Sequence, residues 1–105
     1  MKNEEIISLL KSEMKNFAPE AKFFLFGSRA RGDNRINSDV DLLVLLPDYY
    51  EGKEFVERQS EISFKLYQLS LKNDIDISPI ITVEKIFNLR ETPFTLNIKN
   101  EGIML

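Results

Sequence analysis

The segment Lys22–Leu46 reads KFFLFGSRARGDNRINSDVDLLVLL, and its punctuation sets the architecture. Lys22 to Phe26 is apolar enough for a buried strand, and Gly27 ends it sharply. Val40 to Leu46 forms a second strand, closed by Pro47. Near-continuous apolar runs of this length suit strands covered by helices on both faces. The interval Ser28–Ser38 is polar and holds Arg29, Arg31 and Arg35.

Helical spacing governs the flanks. Upstream, Ile6, Ile7, Leu10, Met14 and Phe17 recur on one stripe, which predicts a helix over Asn3–Phe17. Asn3 is the expected N-cap, Glu4 and Glu5 favour the first turn, and Pro19 lies just beyond the end. Downstream, Phe55, Ile62, Leu66 and Leu69, widened by Phe64, Tyr67 and Leu71, predict a long helix over Glu51–Lys72. Asp74 to Ile81 (DIDISPII) predicts a third strand, with Pro79 pointing to an edge position or an early end. Thr82–Phe87 suits a helical turn, and Thr92 with Pro93 opens a last short helix that Gly102 ends. The order α-β-α-β-α-β-α argues for an α/β class fold, a sheet covered by helices, in a single domain over residues 1–105. Strand directions are not legible at this level.

Composition excludes much chemistry. The 105 residues contain no Cys and no His, so thiolate nucleophiles, disulfides, Cys-based zinc sites and imidazole bases are all ruled out. Catalysis must come from carboxylates, hydroxyls, Lys, Arg or a bound cation. A net charge of -3 weighs against bulk electrostatic gripping of nucleic acid. The longest apolar run, Leu42–Leu46, is far short of the ~18 residues of a membrane span. Met1–Ser8 carries two Glu and lacks the apolar core of a signal peptide, so a cytoplasmic location is expected.

Three features carry candidate chemistry. Gly27-Ser28 follows a strand directly, so backbone and hydroxyl can approach a phosphate while neighbouring Arg residues supply cations. Read alone, the pair is a weak signal, and a plain strand-to-helix turn with a solvated Arg cluster accounts for it. Asp39 and Asp41, two apart at the start of a strand, point to one face, with Val40, Leu42 and Val44 on the other. Their Cα atoms are then ~6.5 Å apart. Two carboxylates at ~5 Å repel by about 3 kcal/mol at an effective dielectric near 20, so a raised pKa or a divalent cation should compensate. With oxygen ligands alone the cation would be hard, Mg²⁺ or Mn²⁺. A solvated turn or cap role is the plain alternative for this pair. Asp76, flanked by Ile75 and Ile77, is a third acid held in a defined direction, and Asp74 shares its parity at a ragged strand start. Together the three carboxylates outline a two-metal nucleotide site.

Gly27-Ser28, ten intervening residues, then Asp39-x-Asp41 resembles the signature of the polymerase-beta-like nucleotidyltransferase superfamily. More narrowly, it is similar to the minimal nucleotidyltransferase (MNT) domains. The likeness is specific over Phe26–Leu46 and extends loosely through Ile75-Asp76-Ile77 to the tail IKNEGIML. It implies a small mixed sheet flanked by helices. It implies that Gly27 and Ser28 bind the β- and γ-phosphates, that Arg31 supports the loop or a phosphate, and that Asp39, Asp41 and Asp76 are catalytic ligands of two Mg²⁺ ions. The implied reaction moves a nucleoside monophosphate from ATP or another NTP to an acceptor hydroxyl, with pyrophosphate leaving.

Larger relatives add a domain that holds the acceptor, and the 23 residues after Thr82 leave no room for one. MNT domains of this kind are often antitoxins paired with an all-helical HEPN toxin, the acceptor being a tyrosine hydroxyl of that partner. The leading expectation is thus a protein AMP-transferase working in a homo- or hetero-oligomer. The alternatives are a non-catalytic module that neutralises its partner by binding, and a transferase for small antibiotic-type hydroxyl compounds.

Overall fold

A computed structural model describes all residues 1–105. Helix α1 (Asn3–Phe17) leads into strand β1 (Lys22–Phe26), the single turn α2 (Ser28–Arg31) and strand β2 (Val40–Leu46). Helix α3 (Gly52–Asn73), strand β3 (Ile77–Val83), helices α4 (Glu84–Leu89) and α5 (Pro93–Glu101) and a two-residue strand β4 (Ile103–Met104) complete the chain. The sheet order is β3-β2-β1-β4. β1 is antiparallel to both β2 and β4, whereas β2 and β3 run parallel. A parallel pair needs a long crossover, and α3 supplies it. The α/β class with a small mixed sheet is therefore observed. No helix is long and apolar enough to cross a membrane.

Alternation sorts the core into two unequal layers. Phe23, Leu25, Val40, Leu42, Val44 and Leu46 form one sheet face, sealed by Ile6, Leu10 and Met14 of α1 and by Ile62, Leu66 and Leu69 of α3. Each such fully buried aliphatic side chain contributes about 1.5–3 kcal/mol. Leu43 and Leu45, on the other face, meet only Phe87 of α4 and Ile98 of α5, with Phe24 and Phe26 beside them. β2 is thus buried on both sides beyond Asp41, which explains the apolar run Leu42–Leu46. β3 is an edge strand, so Pro79 is tolerated there.

Several boundaries depart from the sequence reading. The third strand starts at Ile77, not Asp74, because Asp74 adopts a left-handed conformation (φ 52°) that closes α3. The N–H groups of Asp74 and Ile75 both return to the Ser70 carbonyl, so the chain is still turning where a strand was expected. At its other end the strand extends to Val83, and α4 begins at Glu84 rather than Thr82. Lys2, not Asn3, caps α1, its N–H donating to Glu5 at 3.0 Å. The Asn3 side chain is instead engaged with Arg29 and Asn34. β4 carries no periodic signal and emerges only by pairing Phe24 with Met104 and Leu25 with Ile103.

One polar node ties α1 to α3. The Glu20 carboxylate accepts from the Tyr50 hydroxyl (2.6 Å) and from Arg58 Nε (2.8 Å) and Nη2 (3.0 Å). Arg58 also donates to the Phe17 carbonyl and lies over the Phe17 ring. The hydrogen bond from Arg58 holds the Glu20 carboxyl at about 2, below its ordinary 4.5. Donating to that carboxylate pushes the Tyr50 phenol up to about 12. A depressed carboxyl stabilises the fold fully above its unfolded value and gives that up as pH falls toward the folded one. Glu20→Gln is therefore expected to melt lower at pH 7, with the gap to the wild type closing between pH 4.5 and about 2; melting curves across that range check it.

Candidate active site

The end of β1 and the start of β2 lie side by side, with Phe26 opposite Asp41. Gly27 follows with φ 75° and ψ -155°, a region open essentially to glycine alone. A Cβ added there would run into the Asp41 carboxylate. The glycine therefore does two things: it turns the chain into α2, and it lets the carboxylate lie against bare backbone. Ser28 opens α2 beside it.

The parallel register of β2 and β3 brings in the third acid. Val40 pairs with Ile77 and Asp41 with Ser78. One step back along that register sets Asp76 beside Asp39, and the Asp76 carbonyl accepts the Val40 N–H at 2.7 Å. Residues level on parallel neighbours face the same way, so Asp39, Asp41 and Asp76 share the half-covered sheet face. Asp39 and Asp76 are exposed, and Asp41 is half-buried. Burial, and secondly the charge of Asp39, raises the Asp41 carboxyl above its ordinary range, while Arg31 pulls it back. The acids do not close into a ready-made cluster of three metal ligands. The donors are all oxygens and two of them repel, so the set fits a hard divalent cation that would draw them together.

The three arginines of the loop have different tasks. Arg29, grouped by sequence with the phosphate-facing cations, is buried and points away from that role. It donates to the carbonyls of Ser38 (3.0 and 2.8 Å) and Ile36 (3.3 Å) and to Asn3 Oδ1 (2.8 Å). Its guanidinium thus fixes the backbone immediately ahead of Asp39. Its signal was available in the sequence only as one more arginine. Arg31 is exposed and donates to Asp33 (3.1 Å) and to Glu101 of α5 (3.2 Å). Both partners raise its already high pKa. Arg35 is exposed at the tip of the loop. Asp74, the competitor for the third carboxylate, lies outside β3, its backbone closing α3 with the N–H on the Ser70 carbonyl and its side chain exposed. A cavity of about 260 Å³ opens farther along the same sheet face, between α4 and α5, and includes none of the three acids.

Comparison with known proteins identifies the class. A model of the nucleotidyltransferase domain matches residues 7–103, so the chain belongs to that family and is a nucleotidyltransferase. A protein of Methanocaldococcus jannaschii, provisionally named protein adenylyltransferase MJ0141, is 36% identical over 104 residues, spanning 94% of this chain and 97% of the relative. Among solved structures, a Sulfolobus solfataricus protein provisionally called a nucleotidyltransferase superposes with a TM-score of 0.62 at 19% identity, covering 98% of this chain and 81% of that one. A toxin–antitoxin crystallised with AMP-PNP gives 0.56 at 22% identity, covering 99% and 72%. The toxin–antitoxin MntA-HpeT, as a double Asp-to-Glu mutant, gives 0.53 at 19%, covering 99% and 71%. These three share the fold.

Two consequences are measurable. In metal-free buffer Asp41→Asn should raise the melting temperature by about 2 °C, since it removes a half-buried, repelled charge whose effect is mostly screened. Arg29→Ala should cost about 3 kcal/mol in urea denaturation, because three acceptors lose a buried partner. Arg29→Lys should recover only part of that loss, lacking the planar fork.

Proposed function

We propose that this chain transfers AMP from ATP to a tyrosine hydroxyl of a HEPN-type helical partner and so serves as the antitoxin of a toxin–antitoxin pair. The carrying observation is the Asp41 carboxylate packed on the backbone of Gly27, with Asp39 and Asp76 level on the same face. That juxtaposition sets backbone with no side chain beside a set of acids in need of cations. The name of the M. jannaschii relative supports a protein acceptor. The toxin–antitoxin neighbours, one with AMP-PNP, support the adenine nucleotide and the paired toxin.

In this reading Gly27 and Ser28 cradle the β- and γ-phosphates, and Arg31 exchanges Asp33 for a phosphate oxygen or steadies the loop. Asp39, Asp41 and Asp76 would hold two Mg²⁺ ions, with Mn²⁺ as a substitute. When bound, such ions neutralise the triphosphate and make the acceptor hydroxyl more acidic. The acceptor oxygen forms a bond to the α-phosphorus as the bond from that phosphorus to the bridging oxygen breaks. Pyrophosphate leaves with the bonding electrons, and Asp76 takes the hydroxyl proton. Positioning and charge neutralisation carry such chemistry, so a chain without His can perform it.

The test is transfer of labelled AMP from ATP and Mg²⁺ to a purified HEPN-type toxin. The double variant Asp39→Asn, Asp41→Asn should lose at least about a hundredfold in rate while remaining folded, and should cease to neutralise the toxin. Undiminished neutralisation by that variant would overturn the enzymatic reading in favour of simple occlusion.

A further inference from the structure

We infer that Phe94 is the stacking platform for the nucleobase and so a determinant of nucleotide affinity. The inference rests on the nucleotide reading above and deepens it. If the triphosphate lies at Gly27 and Asp41, a nucleoside that packs on the sheet has two faces open to it in principle. The face carrying Val40, Leu42 and Leu25 is closed by α1 and α3 and buried completely. The route therefore runs over the other face, where the neighbour level with Asp41 is Phe26.

The Phe94 ring stands edge-on to Phe26, centroids 5.7 Å apart at 88°. It is 50% exposed, so part of its apolar surface is open to a ligand, one aromatic neighbour removed from Asp41 through Phe26. Its mount is rigid. Pro93 begins α5, and Thr92 and Thr95 cap it reciprocally, with the Thr95 hydroxyl also donating to the Arg90 carbonyl. An adenine laid on such a ring needs no rearrangement of the helix.

The other aromatics fail on position. Tyr49 and Tyr50 lie beyond Leu46, about 17 Å or more of strand from Asp41. Phe64 and Tyr67 are exposed on α3, which covers the opposite face. Phe23 and Phe87 are buried, and Phe17 and Phe55 pack against the core under α1 and α3. Phe24 lines the separate cavity between α4 and α5.

The experiment compares binding of ATP and of inorganic tripolyphosphate, each with Mg²⁺, by calorimetry. Phe94→Ala should bind ATP about tenfold more weakly and tripolyphosphate as the wild type does, which also reports that the phosphate site is folded. Phe94→Tyr should retain ATP affinity. Because the chain has no Trp, Phe94→Trp creates a single reporter whose fluorescence ATP should quench and tripolyphosphate should not. Wild-type ATP affinity in Phe94→Ala, or a Trp signal blind to ATP, overturns the platform while leaving the nucleotide reading intact. Failure of the wild type to bind either ligand overturns both.

Discussion

A carboxylate pressed against bare backbone organises this molecule. Asp41 lies where any side chain on residue 27 would sit, and Gly27 holds a conformation that other residues avoid. The contact exists because β1 and β2 are antiparallel neighbours with Phe26 opposite Asp41. It forces the loop after β1 to pass directly beneath a partly desolvated, repelled charge. The rest of the loop answers that constraint. Arg29 anchors the segment before Asp39 from below, and Arg31 bridges the α2 turn to the last helix.

The unequal covering of the sheet turns that contact into a site. Fifteen buried side chains cluster around the face under α1 and α3. Four gather on the other face, where α4 and α5 are short. Short helices leave the ends of β2 and β3 open, and the acids stand at that open end. Had both faces been sealed equally, Asp41 would need a buried counter-charge, which is costly to supply. Membership of the nucleotidyltransferase family thus has a local physical counterpart: an open strand end, a bare glycine and carboxylates set side by side by a parallel register.

Much of this was legible in the chain. Lys22–Phe26, Val40–Leu46 and Asn3–Phe17 have the bounds that apolar period and punctuation suggest. Asp39 and Asp41 were legible as a same-face pair because alternation along a strand is a local rule. Asp76 was legible only in part. Its own strand begins after it, and what aligns it with Asp39 is a hydrogen bond from Val40, 36 residues earlier, beyond the reach of any local pattern. The short pairing of β4 and the capping of α1 by Lys2 were equally hidden, since each depends on a partner elsewhere.

Local chemistry therefore settled which segments became helix or strand, which acids shared a side, and that any metal would be met by oxygen. Strand direction, register and the fates of the three arginines came from folding. Arg29, Arg31 and Arg35 are chemically identical in the sequence, yet one is buried among carbonyls, one is paired across to α5 and one stands in solvent. Long side chains take their partners from whatever the sheet and helices bring within reach, and that proximity is a property of three dimensions alone.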